Sequence, residues 1–377
     1  MTLRLRTMTA AAALLAIAVA PAQAETNFIA NSFFNAEHPL SKHTYVEWAE
    51  ALEEASGGAL KAEVYLGTVL LAPRATLQGI RDNVIQVGIH PAVYTPSEMP
   101  VAMAVQELGF NYSDSLAVLF AVTDWSMNHP SQVDEWKTNE IVYLGGYATP
   151  AYYLFCREPV TNMAEIQGKR LRTAGSTVSR WVEEVGAIPV NVPSSEMYSG
   201  LDRGTLDCAT NAANDLIDRS LWEVAPHTTV LPTGMYYSGP QWGFNVGFWS
   251  GLTDEERRQI MDVTSLAITR TGIQYAKRSE DALKEAAEKG NTIHEPAEEL
   301  VASVQAFREK SMADVYTAAT GTYGLENGKD IIDSFQETVA KWEGLLEGVD
   351  RSDEAAVAAI VKAEIYDKLD ASTYGVQ

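Results

Sequence analysis

Cysteine, histidine and positive charge are all in short supply in this chain. Two cysteines, Cys156 and Cys208, and six histidines are spread over 377 residues, and none stands at a metal-binding or redox spacing. The sequence has no His-Glu-x-x-His, no Gly-x-Ser-x-Gly elbow, no P-loop and no Gly-x-Gly-x-x-Gly. Those absences remove the commonest sequence signs of a zinc protease, an α/β-hydrolase and a nucleotide-dependent enzyme. No catalytic residue, metal or cofactor is therefore assigned. Carboxylates are abundant, so a pair of them carries no information alone. Lys and Arg total 28 against 50 Asp and Glu, a formal charge of -22. That field repels nucleic acid and favours solubility. A site for an anion must be locally basic against it, which directs attention to isolated arginines.

One long apolar run is present, near the start. Arg4 and Arg6 precede an apolar stretch at 10–20, and Pro21-Ala22-Gln23-Ala24 follows. This is the order of a secretory signal peptide, with cleavage expected after Ala24. The run falls short of the roughly 20 residues that span a bilayer. No lipid-attachment cysteine is near it, and no later segment is apolar enough to cross. The expectation is a soluble mature chain in the periplasm. An oxidising compartment permits the two cysteines to pair, and the sequence leaves that pairing open.

Hydrophobic residues make up 46% of the chain, and its length suggests two domains. Strands are expected at 27–34, 60–65 and 84–89, with a helix between the first two that puts Tyr45, Trp48, Ala49 and Leu52 on one face. Alternating strands and helices argue for an α/β fold built on parallel sheets. Ligands in such folds sit outside the carboxyl ends of the strands. The loops after Phe34 and Ile89, which hold His38, His90 and Tyr94, are therefore candidate walls of a site. A second block begins near Gly145-Gly146, with strands at 152–155, 169–172, 189–192 and 208–211. A strand at 242–246 is expected to return to the first domain. Long helices are expected at 254–289, 296–320, 329–346 and 354–369. The division that results is 25–148 plus about 240–275 as domain I, 149–239 plus about 276–345 as domain II, and 346–377 as a helical tail.

The run Thr161-Asn162-Met163-Ala164-Glu165-Ile166-Gln167-Gly168-Lys169-Arg170-Leu171-Arg172-Thr173-Ala174-Gly175-Ser176 resembles the Asp-Leu-x-Gly-x-Lys-x-Arg-x-x-Gly-Ser stretch of one family. That family is the dicarboxylate-binding (DctP-like) solute-binding proteins of tripartite ATP-independent periplasmic (TRAP) transporters. The likeness continues through Ile188-Pro189-Val190, Ser195-Glu196-Met197-Tyr198-Ser199-Gly200-Leu201 and Gly204-Thr205-Leu206-Asp207. It implies a two-domain clamshell with crossing strands and a long inter-domain helix, for which 254–289 is the candidate. It implies that Arg172 grips a ligand carboxylate, where a planar fork can give two parallel hydrogen bonds, and that the Asn211 amide joins it. Lys169 and Arg170 read as solvated neighbours.

The sequence also departs from the family. Where some members place a second arginine, it has Tyr152-Tyr153, and Cys208 replaces a glycine. The missing arginine counts against a sialic acid or a simple dicarboxylate. Tyr152, Tyr153 and Trp242 are candidates for the remaining walls, with Trp242 at the end of the aromatic run 236–242. The partners implied are a small organic anion and the small and large integral membrane subunits of the transporter. The ligand stays open among a four-carbon diacid, a hydroxy acid, an aromatic acid and a sulfonate. Two rival readings are an extracytoplasmic sensor for a membrane kinase and a periplasmic hydrolase or lyase. The latter would need a clustered nucleophile and base.

Overall fold

A computed structural model describes residues 25–376 of the chain; the expected signal segment lies outside them. Eleven strands form two sheets among these residues. They are β1 (Thr26–Ser32), β2 (Leu60–Leu66), β3 (Val87–Gly88), β4 (Ile141–Tyr143), β5 (Tyr152–Cys156) and β6 (Arg170–Thr173), followed by β7 (Ile188–Asn191), β8 (Cys208–Ala212), β9 (His227–Thr229), β10 (Gly243–Asn245) and β11 (Thr292–His294). The first sheet runs β2-β1-β3-β10-β4 and the second β11-β9-β5-β8-β6-β7.

Each sheet is parallel except for one strand. β10 runs antiparallel to β3 and β4, and β5 antiparallel to β8 and β9. Those two reversed strands follow the crossings of the chain from lobe to lobe. The crossing segments 144–152 and 233–242 lie side by side and bond to each other. Leu144 N donates to Trp242 O at 2.9 Å, Thr149 N to Tyr236 O at 2.9 Å, and Tyr152 N to Gly234 O at 2.8 Å. They form a two-stranded hinge. Within it Gly239 is obligatory: its φ is +97°, and a Cβ there would stand 2.2 Å from His90 O.

The helix Asp254–Glu288 has 35 residues, roughly 50 Å of rod. A capping box starts it: Thr253 Oγ1 accepts from Glu256 N at 3.2 Å, and Glu256 Oε2 accepts from Thr253 N at 2.7 Å. The rod is tied to both lobes. Trp48 Nε1 donates to its Thr264 at 3.1 Å, and its Ser279 hydroxyl accepts from Ala213 N at 3.1 Å.

The second sheet is covered on both faces, as its parallel strands require. Leu154, Leu171, Val178, Trp181 and Phe307 pack on one face, and Phe155, Met197, Leu201 and Ala209 on the other. Cys156 and Cys208 stand opposite each other in the β5–β8 ladder and form a disulfide.

Two expectations need correction. The strand at 84–89 is cut to Val87–Gly88, because Val84 N and Ile85 N turn back to Gly79 O at 2.9 and 3.2 Å. The domain division also differs. The helix Gly328–Leu345, placed by sequence in domain II, packs on the helix Ser115–Asn128 of the first lobe. Trp342 Nε1 donates to Asp124 Oδ2 at 3.0 Å, and Trp125 Nε1 to Ser334 Oγ at 2.9 Å. The tail joins the same core through Val357, Val361 and Tyr366, whose hydroxyl donates to Leu144 O at 2.9 Å.

Candidate functional site

A small cavity lies between the lobes at the carboxyl ends of the parallel strands. The first lobe supplies Phe34, Leu40, Pro91, Val93 and Tyr94, from the two strand-end loops. The hinge supplies Tyr147, Thr149 and Tyr236, and the long helix supplies Tyr275. The second lobe supplies Tyr152, Arg172, Ala174, Ser194, Asn211 and Asp215. The lining thus holds six aromatic side chains and one guanidinium. Burial pushes the hydroxyls of Tyr147, Tyr152, Tyr236 and Tyr275 well above the usual tyrosine range. They stay neutral, able to donate and accept.

Arg172 stands one residue from the end of β6, only 2% exposed. Its Nε donates to Val192 O at 3.0 Å and its Nη1 to Thr210 O at 3.2 Å. Two backbone carbonyls therefore fix the plane of the group and use two of its five N–H donors. No carboxylate lies within salt-bridge distance of Arg172 among the described residues, unlike Arg170, which grips Asp207 at 2.7 Å.

Asp215 is the second charged group in the wall. Its Oδ2 accepts from Asn211 Nδ2 at 2.5 Å and from Arg219 Nε at 2.9 Å. Its Oδ1 accepts from Asn214 Nδ2 at 3.1 Å and lies 3.3 Å from His38 Nε2. Burial pushes this carboxyl up, but Arg219, His38 and Arg172 together outweigh burial and hold it below the usual range. It is an anion, and a neutralised one.

The lobes touch across the cavity. Ser194 N donates to the Tyr94 hydroxyl at 3.2 Å, Arg219 lies 5.0 Å over the Phe34 ring, and Asn35 Nδ2 donates to Asp218 O. On another side of the interface, Glu107 accepts from Thr177, Arg180 and Tyr323 at 2.7, 2.6 and 2.6 Å.

Of the residues singled out in the sequence, Arg172, Asn211, Tyr152 and Tyr94 line the cavity. His38 sits one layer behind it. Its Nδ1 accepts from Leu40 N at 3.1 Å and its ring stacks on Phe34 at 4.0 Å. Three others are elsewhere. His90 is buried against Thr95, 2.8 Å from its hydroxyl. Burial, helped by the Arg81 charge and opposed by a hydrogen bond with the Pro73 backbone, pushes it down to about 3. Tyr153 packs against the core cluster of Phe155, Met197 and Leu201 on the second sheet, and Trp242 is fully buried near Tyr45 in the first lobe. Asp215, Tyr147 and Tyr275 went unnoticed. The signal for Asp215 was its four-residue spacing from Asn211, which spans the turn from β8 into the helix Asn214–Asp218.

Residues 30–319 match the family model described as bacterial extracellular solute-binding protein, family 7, known as DctP. The chain belongs to this solute-binding family. It is 26% identical over 196 residues to the ectoine-binding periplasmic protein TeaA of Halomonas elongata, covering 51% of this chain and 55% of that one. The match thus spans about half the length of that relative. It is 23% identical over 283 residues to the C4-dicarboxylate-binding periplasmic protein DctP of Rhodobacter capsulatus, covering 74% of this chain and 82% of that one. Among solved structures, a marine metagenome TRAP solute-binding protein specific for aromatic acids, in complex with 3-hydroxybenzoate, superposes with a TM-score of 0.75. It is 21% identical, and the match covers 85% of this chain and 99% of that one. The DctP-like family assigned from the 161–176 run and the two-domain α/β fold are therefore both established.

Proposed function

We propose that this DctP-family protein is the periplasmic receptor of a TRAP transporter. It captures a small organic acid and delivers it to the membrane subunits, with no chemistry done on the ligand. The observation that carries this reading is Arg172. A buried guanidinium, held in plane by two carbonyls, lines a cavity between two lobes and forms no salt bridge with a carboxylate among the described residues. An incoming acid would supply the missing anion through a forked pair of hydrogen bonds, strengthened by removal from water. The tyrosine walls favour a flat or ring-shaped body, since aromatic faces bury area while their hydroxyls still bond. Aromatic and cyclic monocarboxylates are thus the preferred class, in keeping with the 3-hydroxybenzoate held by the solved relative. Closure follows from differential affinity: the ligand touches both lobes only when they meet.

A thermal-shift screen tests this. Benzoate, 3-hydroxybenzoate, succinate and ectoine are compared at one equal concentration; an acid present at one hundred times its dissociation constant stabilises the fold by about 2.7 kcal/mol. The aromatic acids are expected to shift the melt most. A response to ectoine or succinate alone would overturn the aromatic assignment.

A further inference from the structure

Six histidines are scattered along the chain, yet folding brings two of them together far from the cavity. His227 opens β9 and His294 closes β11, the edge strand of the second sheet. The strands run parallel, with His227 opposite Thr292 and His294 opposite Thr229. The two histidines are therefore diagonal neighbours on one face of the sheet, and both are half-buried. Nδ1 of His227 lies 3.0 Å from Nε2 of His294. One of these nitrogens donates a proton and the other accepts it. A carboxylate stands near. Glu165 Oε2 accepts from Thr161 N at 2.7 Å, and Ala297 N, three residues past His294, donates to Thr161 O at 2.7 Å. The negative charge of Glu165 reaches His294.

We infer that His227 and His294 form a clip for a divalent transition-metal ion, Cu²⁺ foremost, outside the acid-binding cavity. Neutral imidazole is a common metal ligand. The donating ring moves its proton to its other nitrogen, so both facing nitrogens offer lone pairs and no proton is lost. Metal–nitrogen bonds are about 2.0–2.1 Å long. Two of them spanning 3.0 Å enclose about 90–97° at the metal. That is the right angle of a tetragonal Cu²⁺ or Ni²⁺ site. A tetrahedral ion would ask for nitrogens about 3.3–3.4 Å apart. Copper also stands highest in affinity among these ions. Each ring must turn by about 40° to aim its lone pair at the ion, and the last torsion of histidine is broad enough to allow it. Among the described residues no third His, Cys, Asp or Glu completes the group, so water takes the remaining positions. The ion would join residues 67 apart in sequence, tying the strand that follows the long helix to the strand that leads into the crossing segment 233–242. Two strands separate β9 from β6, which puts the strand of Arg172 about 14 Å away.

Calorimetric titration of the protein, without its signal segment, with CuCl₂ tests this, and the electron paramagnetic resonance spectrum of the bound Cu²⁺ gives a second readout. One ion is expected to bind, with coupling to imidazole nitrogens, at least about tenfold tighter than Ni²⁺ or Zn²⁺. His227→Gln and His294→Gln should each weaken binding by about a hundredfold, one ligand's share in such a site. His43→Gln is the control: His43 lies 2.9 Å from Glu47 on another lobe face, and its loss should leave the affinity unchanged. Should His227→Gln fail to fold, His294→Gln on the edge strand decides alone. Copper affinity unchanged in the histidine variants, or a spectrum without nitrogen coupling, overturns the inference. Zn²⁺ bound as tightly as Cu²⁺ overturns the right-angle geometry on which the choice of ion stands.

Discussion

Replacing Arg172 by alanine separates a binding role from a packing role, and the structure sets the size of the effect. Five N–H donors are available on the guanidinium, and two are spent on Val192 O and Thr210 O. Three remain, enough for a two-pronged grip on a carboxylate. Hydrogen bonds to a charged group are worth about 1.5–3 kcal/mol each, so two of them at the lower edge give about 3 kcal/mol, a loss of roughly 150-fold in affinity. Arg172→Lys keeps the charge without the fork and should fall between the wild-type protein and Arg172→Ala. The melting temperature of the ligand-free protein should change little. Two carbonyls lose their donor, but water entering the enlarged cavity can serve them, and Asp215 keeps its ion pair with Arg219 at 2.9 Å. Arg170→Ala is the control. Arg170 lies at the other end of β6, bound to Asp207 at 2.7 Å, and its loss should leave the affinity for 3-hydroxybenzoate unchanged. Calorimetry on the four proteins decides the matter. An Arg172→Ala affinity within threefold of wild type would refute the reasoning, as would an equal loss in Arg170→Ala.

Two further outcomes follow from the fold. Replacing both Cys156 and Cys208 by alanine releases a cross-link between residues 52 apart in sequence, which should cost about 4 kcal/mol in denaturant melts, and an unchanged midpoint would contradict this. His90 titrates at about 3 in the fold against 6.5 in the unfolded chain, so its contribution is full above pH 6.5 and lost as pH falls toward 3, at up to about 1.4 kcal/mol per pH unit. Between pH 7.5 and 4.5 wild type should therefore lose more stability than His90→Gln, and parallel losses would count against the buried neutral histidine.

Much of this architecture was legible in the residues, for physical reasons that also mark where legibility stopped. The Thr253–Glu256 capping box and the turn at Gly290 bracket a helix expected at 254–289 and found at Asp254–Glu288. The aromatic run at 152–155 became β5, because such residues fit a pleated, half-buried surface. Residues 100–138 were not assigned. The helix Ser115–Asn128 is buried almost all round, with twelve of its fourteen residues hidden, so it lacks the one-sided stripe that periodicity detects. In the site, Arg172 and Asn211 were marked by the family resemblance of the 161–176 run and its continuation, and Tyr94 stood on a strand-end loop. Tyr147 and Tyr275 had no such mark. They reach the cavity from a hinge and from the far half of a rod, placements that only the tertiary fold decides. His90 failed for the converse reason: it sits beside the lining residue Pro91 in sequence, but its side chain is buried, and Trp242 at the end of the aromatic run is buried in the first lobe.

The sulfur bridge between β5 and β8 has a consequence for recognition at the opposite end of those strands. In the ladder Tyr153 faces Asn211 and Tyr152 faces Ala212, three and four residues along from the bridged pair. Sliding one strand by a single position would send Asn211 to the wrong side of the sheet and bring Thr210 or Ala212 to the cavity edge. A covalent bond between facing partners forbids that slide. It works as a ruler, calibrated once when the sulfurs join, that keeps a tyrosine and an amide at a constant spacing however far the two lobes swing.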